Sequence, residues 1–98
     1  MTPFPIDKPE PGQTFRHTDG GLYRFEGVAR DSRDTAPLYI YKHLWPFDPL
    51  VWARPAIEWA GRFTAIPLSA VQEAMKGDRV AAQVQVIQAK EARRALPG

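Results

Sequence analysis

Glycine and proline divide the first two thirds of this 98-residue chain into pieces too short for ordinary helices. Pro3, Pro5, Pro9 and Pro11 crowd the N-terminus. Gly12, Gly20, Gly21, Gly27, Pro37, Pro46, Pro49, Pro55, Gly61 and Pro67 then follow at intervals of ten positions or fewer. Proline removes a backbone donor and fixes φ, and glycine weakens any regular element, so short strands and turns are what fit between them. Thr14-Phe15-Arg16-His17 alternates and runs into a turn at Asp19-Gly20-Gly21. Leu22 to Ala29 sets Tyr23 and Phe25 on one face and Arg24 and Glu26 on the other, the pattern of a half-buried strand, with a bulge expected at Gly27. Residues 30–36 read as an exposed loop. Pro37 to Lys42 makes a third strand, Trp45 to Pro49 a loop, and Leu50 to Arg54 a fourth strand stopped by Pro55. Ala56 to Trp59 has room for one helical turn, and Arg62 to Ile66 for a fifth strand.

Five short strands this close together, with a helical turn before the last, predict a mainly β domain: a small, five-stranded, SH3-like barrel over residues 12–66. Residues 1–11 form a proline-rich arm, either loose or laid across the domain through Phe4 and Ile6. Residues 67–98 differ in character and predict one or two helices, giving an α+β whole. Ser69 to Gln72 has the S-x-x-Q form of a capping box, Gly77 can close that helix, and Asp78 can cap a second one. Residues 79–88 carry both a helical spacing (Val80, Val84, Ile87) and a strand-like alternation; their Ala, Gln, Lys and Arg content favours helix.

Composition excludes several classes. Without cysteine there are no disulfides and no thiolate metal sites. No apolar run reaches the roughly 20 residues of a membrane span, and no secretory leader is visible, so a soluble cytoplasmic protein without a membrane partner is expected. The net charge of +2 is small for a dedicated nucleic-acid binder. His17 and His43 lack the spacing of a zinc site, and Ser32 lacks a nucleophile-elbow context, so no metal, cofactor or catalytic residue is assigned.

The stretch from Pro37 to Pro55 holds five of the eleven Phe, Tyr and Trp residues. Alternation puts Leu38 and Ile40 on one face of the third strand, with Tyr39 and Tyr41 on the other. On the fourth strand Val51 and Ala53 oppose Trp52 and Arg54. Small aliphatics suit the inside of a narrow barrel. The expectation is therefore an outward patch of Tyr39, Tyr41, Trp52 and Arg54, neighboured by Arg16, His17 and Arg24, which receives a protein or peptide partner. The arm or the C-terminal helix is the intramolecular alternative for covering that face. Weak RNA or single-strand binding through the same patch with Arg93 and Arg94 is a second reading, and a small enzyme centred on His17 a third.

Phe15-Arg16-His17, Gly20-Gly21-Leu22-Tyr23, Ala29, Ser32, Tyr41, Leu44 and Trp52-Ala53-Arg54-Pro55 together resemble a bacterial family known as domain of unknown function 1653. The resemblance covers about residues 12–66. It implies a small all-β domain and carries no activity with it. The family commonly has His-Ser-Glu-Thr where this chain has Asp31-Ser32-Arg33-Asp34, and Phe where it has Trp59.

Overall fold

In a computed structural model, residues 8–95 are described. Five strands, β1 (Thr14–His17), β2 (Leu22–Arg30), β3 (Pro37–Trp45), β4 (Val51–Pro55) and β5 (Phe63–Ile66), are followed by helices α1 (Leu68–Ala74) and α2 (Arg79–Ala95). A 3₁₀ turn, Ala56–Glu58, lies between β4 and β5. The strands form one antiparallel sheet in the order β4-β3-β2-β1-β5. No pairing joins β4 to β5 among the described residues, so the sheet is open and the SH3-like barrel is only approximate. The ladder between β2 and β3 shifts register at Leu22/Tyr23 and at Phe25/Gly27. The second shift is the expected bulge, and such irregularities bend a strand. The proposed contacts of Phe4 and Ile6 lie outside the described residues.

Alternation along the strands is as expected, but its inside and outside are exchanged. Phe15, Phe25, Tyr41 and Trp59 form the buried cluster, with Tyr23, Tyr39 and Phe63 packed against it. Tyr41 is 5% exposed, and Tyr39 is half-buried. Val51 and Ala53 instead face solvent, and Leu38 and Ile40 are only half-buried. Small aliphatics line a barrel that closes on itself. This sheet stays open, and one tryptophan from the β4–β5 link fills its ring-bearing face. Trp59 stacks on Phe63 with centroids 3.8 Å apart and planes 7° from parallel. It meets Phe15, Phe25, Tyr39 and Tyr41 edge-on at 5.2–5.8 Å. Large rings are what such a filled face needs.

The helices seat across one end of the sheet. Val71 and Val86 are their buried residues. Asp78 accepts from the Ala81 N–H at 3.0 Å and caps α2 as expected. Ser69 does not cap α1: Pro67 occupies the N-cap position with no side-chain bond, and Ser69 falls in the first turn. α2 is fastened to the β3–β4 loop by Arg79, whose Nε donates to the Pro46 carbonyl at 2.8 Å and whose Nη2 meets Asp48 at 2.8 Å. The Gln83 amide adds a bond to the same carbonyl at 2.9 Å.

Removing Trp59 deletes contacts to five rings. Trp59→Ala is expected to cost about 3–5 kcal/mol, most of the stability of a domain this size, and to appear in urea titration as a largely unfolded protein. Trp52 is 48% exposed, and Trp52→Ala should leave a folded protein that loses about 1 kcal/mol.

Candidate functional site

The β1–β2 turn, the middle of β3, the β3–β4 loop and the second half of α2 meet at one corner. The turn is built by glycines. Gly20 has φ +102°, which side-chain-bearing residues rarely adopt, and its N–H donates to the His17 carbonyl at 2.8 Å. A Cβ on Gly21 would stand 3.1 Å from the Tyr23 ring and 3.4 Å from the His43 ring. The bare backbone there lets both rings close against the turn.

Among the described residues four polar or charged side chains are buried, those of Thr14, His17, Asp19 and His43, and three of them lie at this corner. His17 Nδ1 is 3.0 Å from Asp19 Oδ1 and 3.2 Å from the Asp19 N–H. One nitrogen cannot donate to the first and accept from the second. The carboxylate is the stronger partner, so Nδ1 carries its proton toward Oδ1. The Gly21 N–H also donates to Oδ1, at 3.1 Å, and the Lys90 ammonium stands 4.0 Å from Oδ2. Burial pushes the Asp19 carboxyl up, but the His17 and Gly21 bonds and the charges of His17 and Lys90 outweigh it and hold it below its ordinary value.

His43 is fixed differently. Its Nε2 accepts the Phe47 N–H at 2.9 Å, which leaves the proton of the neutral ring on Nδ1. Burial, with the nearby Lys90 charge, lowers its pKa. Tyr23 meets His43 edge-on at 4.7 Å. Its hydroxyl is pushed up to about 12, first by burial and then by Asp19 and Tyr41, so it keeps its proton. Neither the Tyr23 hydroxyl nor His43 Nδ1 has a partner among the hydrogen bonds of the described residues.

Over this row lies a cleft of about 300 Å³, lined by Tyr23, His43, Phe47, Asp48, Leu50, Trp52 and Lys90. A larger cavity of about 480 Å³ separates the back of the sheet from the helices. Its walls include Ala70, Ala74, Ala81 and Ala82 as well as Arg16, Asp19, Asp78 and Gln85; the smaller cleft is the one bordered by Tyr23 and His43, and is the candidate site.

The expected patch of Tyr39, Tyr41, Trp52 and Arg54 does not form an outward surface, because Trp59 sits against both tyrosines. Only Trp52 remains substantially exposed. Arg54 is spent within the chain: its Nε donates to the Tyr41 hydroxyl at 3.2 Å, its Nη1 meets Glu58 at 3.2 Å, and its guanidinium lies 5.9 Å from the Phe63 centroid. Arg16 borders the larger cavity, Arg24 pairs with Glu26 at 2.7 Å on the opposite face, and His17 is buried. Arg93 donates to the Thr18 hydroxyl at 3.3 Å, and Arg94 is exposed. Ser32 sits in the β2–β3 loop, at the other end of β2 from His17. Tyr23 and Lys90 were not singled out from the sequence. Gly21 two places before Tyr23 hints at the first; nothing local points to Lys90.

No group of three His, Asp or Glu side chains comes together among the described residues, and no helix among them is long and apolar enough to cross a membrane. The family model described as Protein of unknown function (DUF1653) matches residues 13–65, more than half of the chain. The chain belongs to this family. No curated protein and no solved structure matches it. Within the DUF1653 segment, seven of the residues that carried the resemblance fall in two places. Tyr41 and Phe15 pack on Trp59 and Arg54 ties the turn before it to Tyr41; His17, Gly20, Gly21 and Tyr23 build the polar corner. Lys90 comes from α2, outside the matched segment.

Two of the shifted groups, His43 and Asp19, make stability fall in acid. His43 has a folded pKa below its unfolded value of about 6.5, so protons bind preferentially to the unfolded chain as pH drops. Stability should be full above that value and decline below it, the Tm at pH 5 lying several degrees under that at pH 7.5. His43→Gln should flatten that interval. Asp19, also depressed, adds a later loss as pH falls through the ordinary carboxylate range to its folded value.

Proposed function

We propose that the chain is a small, non-enzymatic interaction module that takes an extended protein or peptide segment along β4. The observation that carries this reading is the state of that edge. Among the described residues β4 has a neighbour on one side only, and Val51 and Trp52 on it, with Leu50 just before it, are 63%, 48% and 56% exposed. The His43 N–H bonds to the Leu50 carbonyl at 2.8 Å. With the register Tyr41↔Trp52 and Tyr39↔Arg54, antiparallel alternation directs the backbone groups of Leu50, Trp52 and Arg54 toward β3 and those of Val51 and Ala53 outward. Natural edge strands are usually blunted by charge or bulges. Here Pro49 and Pro55 bracket a segment whose single charge, Arg54, is already paired. Such an edge supports strand addition: main-chain bonds give affinity, and alternate side chains give selection. The matching segment is apolar and uncharged, with one side chain set against Trp52 and Leu50.

Ala53→Pro removes one outward N–H without touching the ladder to β3. A panel of eight-residue, valine- and isoleucine-rich peptides is expected to protect the Val51 and Ala53 amides from hydrogen exchange. Ala53→Pro should weaken binding at least tenfold while the sheet's amide spectrum is kept. Peptides that bind equally well to Ala53→Pro would overturn the reading. So would preferential binding of mixed RNA with a steep salt dependence.

A further inference from the structure

We infer that the cleft beside Trp52 is a binding site for a small organic monocarboxylate with a flat or branched apolar body. The inference stands apart from strand addition, because it rests on the floor and inner end of the cleft rather than on the free backbone of β4.

Three elements each contribute a donor-bearing residue to the lining of the cleft. β2 supplies the Tyr23 hydroxyl, which stays protonated. β3 supplies His43, whose Nε2 is occupied by the Phe47 N–H at 2.9 Å and whose remaining ring nitrogen is therefore a donor. α2 supplies Lys90, whose side chain is 40% exposed and whose nearest carboxylate oxygen is 4.0 Å away, beyond hydrogen-bond reach. A site end made of donors recognises a group that only accepts, and an ionised carboxylate is the small organic group that does so on both oxygens.

The outer walls are apolar: Phe47 from the loop, Leu50 and Trp52 from the start of β4. The volume, about 300 Å³, stands at the lower limit of ligand pockets and fits a body of one ring or a short branched chain. Charge decides between a monoanion and a dianion. Asp19 lies behind Lys90 and does not line the cleft; its side chain is 3% exposed and bonded to His17 and Gly21. Asp48, on the rim, is tied to Arg79 at 2.8 Å. Lys90 and Arg79 together balance Asp19 and Asp48, so the surroundings are neutral overall, and the one ammonium that lines the cleft suits a single negative charge on an apolar body better than a phosphate dianion.

Benzoate, benzyl alcohol and inorganic phosphate separate these features when titrated into the full-length protein, read by amide chemical shifts and tryptophan fluorescence. Benzoate is expected to shift the amides of Tyr23, His43 and Trp52. Benzyl alcohol should bind at least tenfold more weakly, and phosphate should neither shift these amides nor compete. Lys90→Met, at a partly exposed helix position, should weaken benzoate about tenfold with the spectrum otherwise kept. Tyr23→Phe should weaken it about threefold; if that variant does not fold, Lys90→Met alone decides. Ala53→Pro should leave benzoate binding unchanged, so the edge and the cleft fail separately. Equal binding of benzoate and benzyl alcohol, indifference to Lys90→Met, or displacement by phosphate overturns the assignment.

Discussion

Stacking of Trp59 on Phe63 settles how this domain hides its interior. Five short strands whose two edges are open among the described residues cannot enclose a core by pairing alone, and a chain of this size has little apolar surface to spare. The link from β4 to β5 solves the problem by carrying one large ring across the sheet. Trp59 touches rings from β1, β2, β3 and β5 at once. Burying 150–250 Å² at about 25 cal/mol per Å² corresponds to about 4–6 kcal/mol for that one side chain. The 3₁₀ turn that aims it is held in turn by Arg54, which joins Glu58 on the turn to the Tyr41 hydroxyl on the neighbouring strand. The Trp-Ala-Arg-Pro motif and Trp59 therefore work as one device, a plug and its clamp, and this accounts for Arg54 without a partner molecule.

The same device explains which parts of the fold could be read from the sequence. Strand positions, the bulge at Gly27, the single helical turn and the Asp78 cap are local, and local rules find them. The direction of the alternation is not local. Leu38/Ile40 and Tyr39/Tyr41 alternate equally well whichever set faces in, and the choice depends on whether the sheet closes or is plugged. A closed barrel has space only for small aliphatics; a plugged sheet needs rings to meet the plug. Nothing near residues 37–45 announces that Trp59 will be that plug. The error at Ser69 has a similar cause, since Pro67 starts the helix two residues earlier and leaves the hydroxyl inside the first turn.

The polar corner was half legible. His17, Asp19 and His43 are chemistry-bearing residues that any reading weighs, and the Asp19-Gly20-Gly21 turn is plain. What turns them into a site is α2. Lys90 is 71 positions from Asp19, and Arg93 is 75 from Thr18. No periodicity links positions so far apart. The helix is placed by Arg79 and Gln83 on the Pro46 carbonyl and by Val86 against Gly20, where a Cβ would stand 3.7 Å from the valine methyl. The matched family segment thus supplies the turn and the rings, and the appended helix supplies the cation.

Because Trp59 occupies the centre of the ring-bearing face, Trp52 is left at its margin. Its strand partner is Tyr41, which is fully engaged by the plug, so the Trp52 indole is 48% exposed, with no ring packed on it among the described residues. Exposed indole beside Leu50, next to donors that the fold leaves unpaired, is costly for a small domain to keep. The surplus is concentrated rather than scattered: the open strand, the uncovered indole and the donor-lined hollow all meet where β3 turns into β4. A domain that spends its remaining rings so economically on its own interior has left this one corner unfinished, and that is the physical ground for expecting another molecule there.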